Sequence, residues 1–199
     1  MPHLGVWMNG IRVGTWRLSA QGDEFAYADS WLEHPLCRPL SLSMPLLPGN
    51  QRYRGTMVSA WFDNLLPDSQ AIRDRLARHF GATAVTPFAL LEKIGRDCIG
   101  AVQVVPEDEE PRDVRKITGR PLSTKDVAHV LRDALLVGAP NADGEDHDLR
   151  LSLAGTQEKT ALLWHKDGWW LPTGTTPTTH ILKLPLGLAG NTGYDIEHS

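Results

Sequence analysis

The stretch LRLSLAGTQEKTALLWHKDGWWLPTGTTPTTHILKLPL, residues 149–186, alternates short apolar runs with turn residues, and its reading decides the fold. Leu149 to Leu153 alternates apolar and polar side chains, the pattern of a half-buried strand. A tight Ala154-Gly155-Thr156-Gln157 turn follows, then a second run from Thr160 to Trp164. Asp167-Gly168 predicts a hairpin into Trp169-Trp170-Leu171, and His180 to Leu184 predicts one more strand. Runs this short, joined by turns rather than helices, build a small antiparallel sheet.

Upstream, residues 106–122 (PEDEEPRDVRKITGRPL) carry mixed charge and three prolines, the composition of a solvated linker. A helix is predicted over 123–136, with Ser123 as its cap and an apolar stripe of Val127, Val130, Leu131, Ala134 and Leu135. The loop 138–148 is rich in Gly and Asp but lacks the ligand spacing and closing Glu of a calcium loop.

The first third reads mainly as strands. Leu4 to Met8 and Ile11 to Leu18 flank Asn9-Gly10, a strong two-residue hairpin signal. Gly14 within the second run predicts a bulge or a close backbone approach. Phe25-Ala26-Tyr27 reads as a third strand, and PLSLSMPLLPG (39–49) as an edge strand or an extended segment. Asp68 or Ser69 can cap a helix with Ile72, Leu76 and Phe80 on one face, which Gly81 ends. Thr86 and Pro87 open another helix. Cys98 to Val105 reads as a buried strand. Trp61-Phe62 reads as a core staple more readily than as an exposed docking knob.

Composition bounds the function. The 199 residues are 41% hydrophobic and 22% charged, enough to bury a core and too apolar for disorder throughout. Apolar runs are too short to span a bilayer, and the first ten residues do not form a signal peptide, so a cytoplasmic chain is expected, with no membrane partner. Cys37 and Cys98 stand alone, which excludes a disulfide framework and a thiolate zinc site. The net charge of −4 does not favour direct nucleic-acid binding. No His pair has metal-ligand spacing, and no GxSxG supports a hydrolase.

The turn at 154–157 can carry chemistry. Consecutive backbone N–H groups around a glycine make a concavity that suits phosphate oxygens. Lys159 adds a cation at the far side, and Lys183, on a strand, can reach nucleotide phosphates as the strand lysine of kinases does. On these residues alone, a phosphate cradle and an ordinary β-hairpin both stand.

SLAGTQEKTAL (152–162) followed by THILKLP (179–185) resembles the HipA toxin-kinase family. So do PLSLSMPL (39–46), FDNLLPDS (62–69) and LLEKIGRDCIGAV (90–102), in family order and over nearly the whole chain. The resemblance implies an α+β fold. A β-rich N-terminal subdomain with packed helices (1–105) is expected first, then a charged linker and helix (106–148). A partial kinase upper lobe of small antiparallel sheet (149–199) follows, and the helical C-terminal lobe is missing.

The resemblance also implies function: the amino-terminal part of a serine/threonine protein kinase, the toxin of a type II toxin–antitoxin pair. The implied substrate is an aminoacyl-tRNA synthetase, and the restraining partner is a HipB-like DNA-binding antitoxin. Ala154, Gly155, Thr156, Gln157, Glu158 and Lys159 fall on the family's ATP-contacting loop and Lys183 on its phosphate-holding lysine. Ser152 falls on the loop serine that becomes autophosphorylated, where about two negative charges would repel the nucleotide. The family more often has Ala where Thr156 stands.

ATP and Mg²⁺ are the implied cofactors of the complete kinase. After Lys159 the acids are Asp167, Asp195 and Glu197, one in a turn and two at the terminus. Catalytic and metal-binding acids are therefore expected elsewhere, and the isolated chain is expected to bind nucleotide weakly and to be inert. The alternative is a non-catalytic truncated remnant or split subunit that binds an antitoxin or a separate C-terminal kinase lobe.

Overall fold

The computed structural model describes residues 2–96, 98, 101–111, 114–135, 159–174 and 176–183. They fall into two units, one ending at Lys116 and the other beginning at Ile117. Mixed helices and antiparallel sheets make the chain α+β.

In the first unit, β1 (His3–Met8) and β2 (Ile11–Ser19) pair across Asn9-Gly10. Both turn residues have positive φ, +52° and +77°, as a type I′ hairpin turn requires. The register jumps from Val6↔Gly14 to Trp7↔Arg12, so Val13 is an extra residue. Gly14 combines the two roles expected of it. It borders the bulge, and a Cβ there would lie 2.3 Å from the Ala26 carbonyl oxygen and 2.8 Å from the Phe25 ring.

β3 (Gly22–Tyr27), the two-residue β4 (Tyr53–Arg54) and β5 (Val102–Pro106) complete a sheet of order β4-β3-β2-β1-β5. One face buries Leu4, Val6, Trp16, Phe25 and Val104 against the helices. These are α1 (Asp29–Leu32), α2 (Thr56–Asp63), α3 (Gln70–Phe80) and α4 (Pro87–Ile94). Thr86 caps α4 by accepting from the Ala89 N–H, with Pro87 in the first turn. Gly81, at φ +64°, ends α3. Ser69 occupies the N-cap position of α3 but its hydroxyl makes no cap bond. Instead Arg73 ties that turn down, reaching the Pro67 carbonyl and Asp63.

Residues 39–49 form an extended loop rather than an edge strand, bent into a turn at Ser41–Met44. Prolines and the Tyr27 hydroxyl decide this. That hydroxyl accepts from the Leu40 N–H at 2.7 Å and donates to the Met44 carbonyl at 2.5 Å. Met44 is buried while Leu42, at the tip, is 96% exposed. Phe62, Leu65 and Leu66 of FDNLLPDS are buried, so Phe62 is a core staple; Trp61 packs against the same core from a partly exposed position.

The charged stretch expected to be a solvated linker is structured at both ends. Glu107 pairs with Arg12 and Glu109 with Arg96 in the first unit. In the second unit, β6 (Gly119–Leu122) joins a sheet of order β6-β8-β7-β9. Pro121 is tolerated because β6 lies at the sheet edge. The other members are β7 (Lys159–His165), β8 (Gly168–Pro172) and β9 (His180–Lys183), and α5 (Thr124–Leu135) packs on β7 and β6. α5 opens with a reciprocal box. Ser123 donates to Asp126 from both its N–H and its hydroxyl, and the Asp126 N–H returns a bond to the Ser123 hydroxyl. Those bonds hold the Asp126 carboxyl below its usual range.

Candidate functional site

The sheet of the second unit is built around Leu162, which is fully buried, with Ala161 and Leu163 beside it. β7 turns into β8 through Lys166-Asp167, because His165 pairs with Gly168. The turn therefore sits one residue earlier than Asp167-Gly168 suggests, and both central residues take positive φ, +50° and +57°. Trp169 pairs with Trp164 and Trp170 with Leu163 across this hairpin. The Trp164 and Trp169 rings meet edge-on at 4.9 Å, and Trp169 meets the His180 ring at 5.0 Å.

β9 returns antiparallel to β7 on its other side. The register pairs Leu162 with His180, Ala161 with Ile181, Thr160 with Leu182, and Lys159 with Lys183. Directly opposite positions of an antiparallel ladder share a face. The two lysines expected to meet phosphate, 24 positions apart in sequence, are therefore neighbours at one end of the ladder. Lys183 is exposed. Ser152, Ala154, Gly155, Thr156, Gln157 and Glu158 lie outside the described residues.

One residue that sets this register escaped the sequence reading. The Thr179 hydroxyl accepts from the Trp164 N–H at 2.7 Å and bonds His180 Nδ1 at 2.8 Å, while the Thr179 N–H donates to the Leu162 carbonyl. Thr179 thus fixes where β9 starts on β7, and with it which residue faces Lys159. Its only signal was the threonine-rich run at 173–179. A second threonine cluster secures β6: the Thr118 N–H donates to Thr176 Oγ1, and Thr118 Oγ1 donates to the Thr173 carbonyl.

Chemically, paired lysine positions suit a polyanion such as a triphosphate, whose oxygens take charge-assisted bonds from ammonium groups. The same donor set does not suit a metal ion. Among the described residues no group of three His, Cys, Asp or Glu comes together that could hold one. Asp167, the one carboxylate between Lys159 and Lys183, is at the opposite end of β7 from Lys159. No helix among the described residues is long and apolar enough to cross a membrane.

Comparison with known proteins bears on both units. The family described as the HipA N-terminal domain matches residues 4–105. Over 186 residues the chain is 36% identical to "Putative kinase Y4mE" of Sinorhizobium fredii, covering 92% of this chain and 43% of that protein. It is 30% identical over 184 residues to the serine/threonine-protein kinase toxin HipA of Shewanella oneidensis, covering 92% of this chain and 39% of that one. Among solved structures, the Shewanella oneidensis HipA in complex with HipB and its operator DNA superimposes with a TM-score of 0.60 at 27% identity. The match covers 89% of this chain and 39% of that one. The chain thus spans about two fifths of the relatives it matches.

Proposed function

The chain belongs to the HipA family, and from that premise we propose that its second unit is the phosphate-gripping part of a serine/threonine kinase toxin. ATP lies with its phosphates at the end of the β7–β9 ladder. Lys183 and Lys159 draw in the phosphate oxygens, and Ala154, Gly155, Thr156, Gln157 and Glu158 supply further contacts to them. The observation that carries this reading is the Lys159↔Lys183 register. Two cationic positions placed side by side repel each other and gain from an anion between them.

Ser152 is the regulatory acceptor in this reading. Its phosphorylation puts negative charge where the nucleotide's phosphates belong and so switches binding off. Mg²⁺, when bound, would neutralise the developing charge on the transferred phosphoryl group. The carboxylates for it belong to residues other than the described ones. The chain by itself is inert. Its partner is a HipB-like DNA-binding antitoxin, by analogy with the Shewanella complex, and the complete kinase acts on an aminoacyl-tRNA synthetase.

The test pairs this chain with the C-terminal part of the Sinorhizobium relative, added in trans or by fusion, and follows ATP binding. Measurable affinity is expected only in the paired form, falling by about tenfold or more with Lys183→Ala. Radiolabel transfer from ATP by the isolated chain, abolished by Lys183→Ala, would overturn the inert reading.

A second reading has one observation in its favour: Asp167, the sole carboxylate between the two lysines, sits in a hairpin turn away from them. The chain is then a non-catalytic subunit that binds an antitoxin or a separate kinase lobe without regard to nucleotide. Binding of such a partner with equal strength with and without ATP selects it.

A further inference from the structure

We propose that the outer face of the first sheet holds one buried water molecule, bridging the Trp7 indole N–H and the Glu107 carboxylate above Gly5. Trp7 is only 8% exposed and lies outside the main core cluster. Its Nε1 and Glu107 Oε2 are both shielded from solvent and neither has a hydrogen-bond partner. The other Glu107 oxygen, Oε1, is taken by Arg12, whose guanidinium also donates to Thr15 Oγ1 at 2.9 Å and sits 5.9 Å from the Trp7 ring centroid.

Gly5 adjoins both orphaned atoms. A Cβ on it would be 2.8 Å from Trp7 Nε1 and 3.7 Å from Glu107 Oε2. Gly5 is not among the glycines with positive φ, so its backbone does not demand glycine. What the position demands is room, and both unsatisfied atoms border that room.

The chemistry of the two atoms selects the occupant. The two atoms make no hydrogen bond to each other, and since an indole N–H only donates and a carboxylate only accepts, a group bridging them must accept from the first and donate to the second. An anion is repelled by Glu107, and an ammonium group cannot accept from the indole. Water does both, and a buried polar site with two to four partners is where ordered water is found. It links β1, through Trp7, to Glu107 just past the end of β5.

The experiment uses the full chain, ¹⁵N-labelled, with the Trp7 indole signal identified by its loss in Trp7→Phe. The proposal expects a cross-peak from that indole proton to a long-lived water, abolished by Gly5→Ala, whose methyl takes the space. It also expects coupling of at least about threefold in the folding equilibrium between Trp7→Phe and Glu107→Gln, measured as a double-mutant cycle in urea. Coupling without the cross-peak means a direct Trp7–Glu107 bond and overturns the proposal, as does an additive cycle. Should a variant fail to fold, a high-resolution crystal structure of the parent decides. Density within hydrogen-bond distance of both atoms supports the water, and its lack at that spot refutes it.

Discussion

Phe62 stacks on Trp16 with ring centroids 3.8 Å apart and planes 2° from parallel. Trp16 also meets Phe88 edge-on at 4.8 Å and donates its indole N–H to Asp23 at 2.7 Å. One indole therefore ties α2 and α4 to the sheet, which gives the FDNLLPDS motif its structural meaning. Phe62→Ala should destabilise the chain by about 3–5 kcal/mol, enough to unfold a marginal domain. Trp61→Ala, at a partly exposed position, should cost clearly less. Urea unfolding of both variants checks the order, and equal midpoint shifts would break the assignment of Phe62 as the staple.

Tyr27 predicts a pH dependence. Burial pushes its hydroxyl up to about 12. Because the folded value lies above the ordinary value near 10, its contribution is whole below about pH 10 and is lost as pH rises toward about 12. The full loss amounts to about 3 kcal/mol, of which about half is reached by pH 11. Tyr27→Phe should remove this part of the alkaline slope, and at neutral pH should cost about 1–3 kcal/mol by leaving the Leu40 N–H unpaired. Denaturation midpoints near pH 8 and pH 11 measure both effects. Identical alkaline losses in parent and variant would contradict the role given to this hydroxyl.

The two hairpins offer a matched comparison. Asn9-Gly10 supplies the residues that tolerate positive φ, whereas Lys166-Asp167 places two side chains there, at +50° and +57°. Replacing Lys166-Asp167 with Asn-Gly should relieve strain and raise stability by about 1 kcal/mol. Thermal unfolding tests it. An unchanged or lower melting temperature would show that Lys166 or Asp167 makes a compensating contact.

Lys183 should trade stability against binding. With no anion present, Lys183→Gln removes one of two opposed charges and should raise stability by a few tenths of a kcal/mol, an effect that fades at high salt. Melting at low and high ionic strength reads this directly. A variant less stable than the parent at both would argue that Lys183 has an attractive neighbour rather than a repulsive one.

Much of the first unit was legible because its signals are local. Asn9-Gly10, Thr86-Pro87 and Gly81 each set a boundary through their own backbone chemistry, and Gly14 announced the bulge. The two residues of β4 left no such mark, since Tyr53-Arg54 is a strand only because β3 lies beside it. β6 was hidden for a related reason. Its Gly-Arg-Pro-Leu has neither alternation nor β-branched residues, and edge pairing with β8 alone makes it a strand. At the candidate site, Lys159 and Lys183 were each readable as cations. Their adjacency was not, because it depends on a register set by Thr179 across a turn-rich segment.

Proline at position 121 has a consequence for assembly. It withholds an N–H from the outer rim of β6, while β9, the other outermost strand among the described residues, carries neither proline nor bulge, and its Ile181 is 54% exposed. Among the described strands, β6 is thus the rim that resists a further ladder, and the lysine-bearing β9 is the one that lacks such a block. The two margins of the described layer are therefore chemically unequal, one blunted by its proline and one not.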